Sequence, residues 1–117
     1  MQLENVLAFV GQSERPALEI RVNFGVFAGR EATPAEIDEL AQTVLPKVGG
    51  EISIVREERH ELSDQTEVSL QQVRIEVDSD HVPEDRVERA ELAGRLLETA
   101  ERWAEACIAD RHVEVGT

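Results

Sequence analysis

Within residues 18–50, LEIRVNFGVFAGREATPAEIDELAQTVLPKVGG, the hydrophobic period changes from two to 3.6. Apolar and polar residues alternate over 17–28, which predicts a β-strand with one buried face. The predicted buried set of this strand is Leu18, Ile20, Val22, Phe24, Val26 and Ala28. The opposite set includes Arg21, Asn23 and Phe27.

A capped helix follows this strand. Thr33 is placed to cap the first turn, Pro34 suits the first helical position, and Glu36 can complete a capping box. An apolar stripe then continues at helical spacing to Leu45. The pattern predicts a helix over 34–45, ended by Pro46 and the glycine pair at 49–50.

Two further strands are predicted at 51–61 and 67–78, joined by a turn at 63–66. Directly opposed residues of an antiparallel pair share a face, so Ile54 should lie opposite Ile75 and Ile52 opposite Val77. This register places Val55, Val68 and Leu70 on the outer face of the sheet, with Phe27. The charged run 56–61 is too polar to be covered by a core, so the hairpin should project beyond the sheet.

The chain is expected to form a single domain over 1–117, of the α+β class. A long amphipathic helix is predicted at 83–109, with a short strand at 112–115. Residues 3–10 fit either a helix or a strand, and we favour a strand because it protects an open edge. The expected architecture is an antiparallel sheet with two helices on one face. It is ferredoxin-like, with the N-terminal strand replacing the fourth strand.

Composition restricts the possible partners. The chain carries 12 basic and 25 acidic residues, for a formal net charge of −13, which disfavours nucleic-acid binding. No apolar run is long enough to cross a membrane, and no signal peptide is evident. The single cysteine, Cys107, excludes an internal disulfide and indicates a cytoplasmic protein.

Motifs for catalysis and cofactor binding are weak. Arg30 lies between a strand and a helix start, where an anion can bind, but the glycine spacing matches no phosphate or dinucleotide fingerprint. The glycines there are better explained by a tight strand–helix connection. Glu58 and His60 supply only two potential metal ligands, whereas zinc needs three or four from the protein. We therefore predict no metal and no cofactor.

The outer face of the sheet carries the remaining candidates. Arg21, Asn23, Arg74 and Glu76 should project from neighbouring strands as a polar cluster. Such a cluster suits either a small anionic ligand or a subunit interface with paired charges. We favour a non-catalytic homodimeric interaction or assembly module. The predicted interface residues are Phe27, Val55, Val68 and Leu70. The alternative is a small-molecule binding protein or enzyme that uses the polar cluster or Arg30.

Overall fold

A four-stranded antiparallel sheet forms the body of the molecule. The computed structural model describes residues 6–11, 18–49, 52–63 and 66–115, and describes side chains in these ranges outside 59–70 and 110–115. The strands are β1 (Ala8–Val10), β2 (Leu18–Val22), β3 (Ile52–Ser63) and β4 (Thr66–Val77). Their order across the sheet is β1-β2-β4-β3, so β3 lies at one edge. The helices are α1 (Phe24–Ala28), α2 (Pro34–Val48) and α3 (Arg86–Val115), with a 3-10 turn at Ser79–His81.

The register of the β3–β4 hairpin is confirmed. Ile54 lies opposite Ile75, Ile52 lies opposite Val77, and Ser63 and Thr66 close the hairpin. The hairpin continues past the last paired residue of β2, Val22, which lies opposite Val73. Its distal part, including 57–61, therefore extends beyond the β2–β4 pairing, as the polar sequence predicts.

One face of the sheet is covered by the helices. Alternate residues of the strands and the apolar sides of α2 and α3 form one core. The fully buried members from the two central strands are Ile20, Val22, Val73, Ile75 and Val77. Burial of these β-branched side chains fixes which face of each strand is inward, because a shift of one residue would expose them all.

The strand predicted over 17–28 is too long, because β2 ends at Val22 and residues 24–28 form α1. Phe24 and Ala28 are buried, and residues four apart share one side of a helix as well as one face of a strand. The alternating pattern is therefore compatible with both structures. Gly25 lies against β4, since a Cβ there would be 2.5 Å from the backbone nitrogen of Gln71.

The start of α2 is confirmed, and its predicted end is wrong. The Thr33 side chain accepts from the Glu36 N–H while the Glu36 carboxylate accepts from the Thr33 N–H, forming the capping box. Pro46 lies inside the last turn, and the helix continues to Val48. It ends at Gly49, whose φ of 73° is in the left-handed region that favours glycine.

The last helix differs from its prediction at both ends. It begins at Arg86 rather than 83, where the Asp85 carboxylate accepts from the Glu88 N–H. It continues to Val115, so the predicted strand at 112–115 is wrong. The strand predicted over 3–10 is observed only at Ala8–Val10, because residues 6 and 7 form a bend; residues 3–5 lie outside the described residues.

Candidate functional site

The polar cluster on the outer face is centred on a buried carboxylate. Glu19 in β2 is only 1% exposed, although this face carries no helix of the core layer. Arg21 Nε donates to Glu19 Oε2 at 3.0 Å, and Arg74 Nη1 donates to Glu19 Oε1 at 3.4 Å. A buried charge requires such partners, because desolvation without them would be strongly unfavourable.

A chain of amides extends the cluster toward the N-terminal strand. Arg21 Nη1 donates to Gln72 Oε1 at 3.0 Å, and Gln72 Nε2 donates to Asn23 Oδ1 at 2.9 Å. Asn23 Nδ2 in turn donates to the Val6 carbonyl at 2.7 Å. These bonds join β2, β4 and the segment before β1, so the cluster contributes to sheet cohesion.

Arg74 is surrounded by carboxylates. Its Nε lies 3.2 Å from Glu57 Oε2, and its Nη1 lies 3.6 Å from Glu76 Oε2, in addition to the contact with Glu19. The Nε–Glu57 contact is an ion pair without hydrogen-bond geometry. Opposed strand positions carry Arg21 and Arg74, so these acids also offset repulsion between two guanidinium groups.

The structure therefore brings together Arg21, Asn23, Arg74 and Glu76, as the sequence predicts. We name these residues, with Glu19, Glu57 and Gln72, the outer-face network. Glu19, Glu57 and Gln72 were not among the site residues predicted from the sequence. Strand alternation and the predicted hairpin register place these three residues on the outer face, so the two patterns together could have identified them as members of the cluster.

Arg30 belongs to a separate contact at the start of α2. Its two terminal nitrogens donate to the two carboxylate oxygens of Glu36 at 2.8 Å each. One of them also donates to the Cys107 carbonyl at 3.2 Å, and the guanidinium lies over the Phe24 ring. Arg30 thus joins α1, α2 and α3, and its predicted anion is replaced by a carboxylate of the same chain.

The pKa values around Glu36 follow from these contacts. Hydrogen bonding from Arg30 lowers the pKa of Glu36 to about 2, assisted by Thr33 and the Cys107 thiol against the opposing effect of burial. Burial raises the pKa of Cys107 to about 12, and the Glu36 carboxylate adds to the increase. The thiol is therefore protonated at neutral pH, which makes it a poor nucleophile.

The residues predicted for a dimer interface do not form one described surface. Phe27 is 39% exposed in α1, where helical geometry directs it away from Gly25 and from the β4 backbone that Gly25 contacts. Val55 lies in β3 opposite Arg74, on the outer face. The backbones of Val68 and Leu70 lie in β4, but their side chains are outside the described set.

A cleft lies between α2 and the edge strand β3, and its polar lining consists of Ser53, Glu76 and Asp78. Its volume is about 320 Å³. Its apolar lining consists of Ile37, Ala41 and Leu45 from α2 and Ile52 and Ile54 from β3. We name these five residues the edge cleft. Leu45 ends the apolar stripe predicted for this helix, yet its side chain is 44% exposed.

In the described part of the chain, no three His, Cys, Asp or Glu side chains lie close enough together to hold a metal ion. Over the same residues, none of the helices combines the length and apolar character needed to cross a bilayer. Comparisons with protein-family models, with curated proteins and with solved structures each found no match.

Proposed function

We propose that this protein is a non-catalytic homodimeric interaction module of the cytoplasm. The sheet order β1-β2-β4-β3 supports the further proposal of a ferredoxin-like fold in which β1 takes the place of the fourth strand. The observation that carries the proposal is the mutual pairing within the outer-face network. Arg21, Asn23 and Arg74 direct their polar groups to other groups of the same chain.

Such pairing favours a stable surface over a ligand pocket. A site for an anion would present cationic groups toward open space, whereas the guanidinium groups of Arg21 and Arg74 contact Glu19. Polar groups satisfied within a chain can be covered by a second subunit without loss of their hydrogen bonds. The buried, protonated Cys107 supports the proposed non-catalytic role.

Sedimentation equilibrium at physiological ionic strength tests the oligomeric state. We expect a mass of two chains. A mass of one chain at every loading concentration would contradict the proposal.

One observation favours a second candidate, a binding protein for small anions. Arg21 and Arg74 occupy directly opposed positions in β2 and β4, so their two positive charges lie on adjacent strands. Isothermal titration with a small dicarboxylate and with inorganic phosphate tests it. A heat of binding that saturates with added ligand in the wild type and is absent in Arg74→Gln would favour this second function over the first.

A further inference from the structure

The free edge of β3 has two chemically different halves. β3 pairs with β4 on one side, and the described strand order places nothing on its other side. Residues 56–61 are all charged or histidine, whereas Ile52, Ser53, Ile54 and Val55 are uncharged. Charged side chains on an edge strand oppose pairing with another chain, so only the first half is open to it.

The edge cleft adjoins this uncharged half. Ile52 and Ile54 face α2, and the cleft between them and Leu45 is mainly apolar, with Glu76 and Asp78 at its polar margin. A strand added at this edge would receive backbone hydrogen bonds from β3 and would also contact the apolar lining. The two features therefore form one surface.

We propose that two copies of the chain pair antiparallel along the first half of β3, about a two-fold axis at Ser53. This inference rests on the homodimer proposed above and places its contact at the β3 edge, not over the outer-face network. The two sheets then form one continuous sheet of eight strands. Because the axis is perpendicular to the sheet, the α2 helices of both copies lie on the same face.

Symmetry limits the possible registers. Opposed residues of an antiparallel pair share a face, and neighbouring residues of one strand point to opposite faces. The two-fold axis must therefore pass at a residue, and that residue lies opposite the same residue of the second copy. An axis at Ser53 places Ile52 opposite Ile54 of the second copy, with both side chains toward the helices. An axis at Ile54 or Val55 would instead place an isoleucine opposite Arg56. An axis at Glu57 or Glu58 would oppose two carboxylates.

The charge distribution supports the same register. With the axis at Ser53, the charged segments 56–61 of the two copies lie on opposite sides of the axis. The charged halves of β3 therefore point away from each other. This separation allows two chains of net charge −13 to approach at an uncharged segment.

Three paired residues of each copy, 52–54, bury less area than a stable dimer needs, which is about 1,200–2,000 Å² in total. The edge cleft supplies additional apolar surface, since Leu45 and its neighbours on α2 face the axis from both copies. A second copy is favoured over an unrelated extended peptide because it fills both clefts through one self-complementary contact.

A cysteine at the axis provides a direct test. Directly opposed residues of an antiparallel pair have Cα atoms about 4.5–5.5 Å apart, which is within the range of a disulfide. We expect Ser53→Cys to form a covalent dimer under mild oxidation, detected by non-reducing electrophoresis. Ser79→Cys, on the exposed 3-10 turn, is the matched control and should remain a single chain. The native Cys107 is buried and does not compete.

A charge in the edge cleft provides the second test. Leu45→Glu places two carboxylates near the axis and should weaken dimerisation about tenfold or more, measured by sedimentation. Val87→Glu, at a position 64% exposed on α3, should leave dimerisation unchanged. Circular dichroism checks that both variants are folded, and Leu70→Glu tests in parallel the interface that the sequence predicts.

The outcomes separate the two proposals. A wild-type dimer that loses association with Leu45→Glu and crosslinks through Ser53→Cys supports the β3 contact. If the wild type is a dimer, Leu45→Glu does not weaken it, Ser53→Cys does not crosslink and Leu70→Glu dissociates it, the β3 contact is overturned. The proposed dimeric module is not contradicted by that result. A wild-type chain that sediments as a monomer overturns both. Crosslinking equal in Ser53→Cys and Ser79→Cys also overturns the β3 contact.

Discussion

Glu36 connects three parts of the chain through one side chain and one carbonyl. Its carboxylate accepts from Thr33 and Arg30, and its backbone carbonyl accepts from Trp103 Nε1 at 2.8 Å. Trp103 also packs on Phe24, with ring centroids 5.3 Å apart. The residue that completes the capping box of α2 therefore also attaches that helix to α3.

This position should make stability depend on pH. The pKa of Glu36 is about 2 in the folded chain, below its ordinary value of 4.5, so ionisation stabilises the fold above pH 4.5. That contribution is lost as the pH falls from about 4.5 to 2. Urea unfolding of Glu36→Gln should show a deficit on the order of 2 kcal/mol near neutral pH that shrinks toward pH 2.

The exposed Glu91 on α3 provides a matched control. Glu91→Gln should change the free energy of unfolding little, and any change should be similar at each pH. A deficit for Glu36→Gln that stays constant between neutral pH and pH 2 would show that its ionisation does not stabilise the fold.

Substitution by alanine should change the free energy of unfolding in opposite directions at two helical glycines. Gly25→Ala would place a Cβ 2.5 Å from the backbone nitrogen of Gln71, so α1 must move away from β4. We expect a loss of about 1–3 kcal/mol in the free energy of unfolding. Gly94→Ala meets no atom within 4 Å, and should add about 0.5–1 kcal/mol through helix propensity. Chemical denaturation of both variants measures the contrast, and equal effects would contradict the close packing of α1.

At the level of elements, α3 shows where a periodic pattern defines a helix without defining its buried side. Val87 and Ala90 recur at helical spacing with the other apolar residues of this helix, which predicts that they are buried, yet both are exposed. The buried residues are Leu92, Leu96, Ala100, Trp103, Ala104 and Cys107. The first turn of α3 precedes its contact with the sheet, and spacing alone does not reveal where that contact begins.

Alanine substitutions on α3 should reproduce this difference. Leu96 is fully buried, and Leu96→Ala should reduce the free energy of unfolding by about 2–5 kcal/mol. Val87→Ala should change it by less than about 0.5 kcal/mol, as for most surface substitutions. Thermal or denaturant unfolding distinguishes the two variants. A large decrease in the free energy of unfolding for Val87→Ala would indicate that Val87 is buried, as the sequence pattern predicts.

Elements with strong local signals could be predicted from the sequence, and those that depend on tertiary contacts could not. The capping box at Thr33 and the facing pair Ile54 and Ile75 were predictable because each has a defined local or pairwise geometry. The switch from strand to helix after Val22 depends on the approach of Gly25 to β4, which no local pattern encodes. The outer-face set was predictable by alternation, but its internal pairing through Glu19 was not.

For the molecule as a whole, net charge should control association. Two chains of charge −13 repel, and added salt screens that repulsion, with a Debye length of about 30 Å at 0.01 M and about 10 Å at 0.1 M. If apolar burial drives dimerisation, the dissociation constant should fall as salt rises through this range. Sedimentation at several salt concentrations measures it, and weaker association with added salt would indicate a contact carried by ion pairs.

The spatial order β1-β2-β4-β3 has a consequence for synthesis on the ribosome. β3 is translated before β4, yet β4 lies between it and β2, so the nascent sheet lacks its central strand until Val77 has left the exit tunnel. The core side of β2 also waits for Leu96 and Ala100 of α3. The isoleucines of β2 and β3 therefore lack their final packing partners until most of the protein has been translated. During this interval their apolar side chains are exposed, and a chaperone would bind them then.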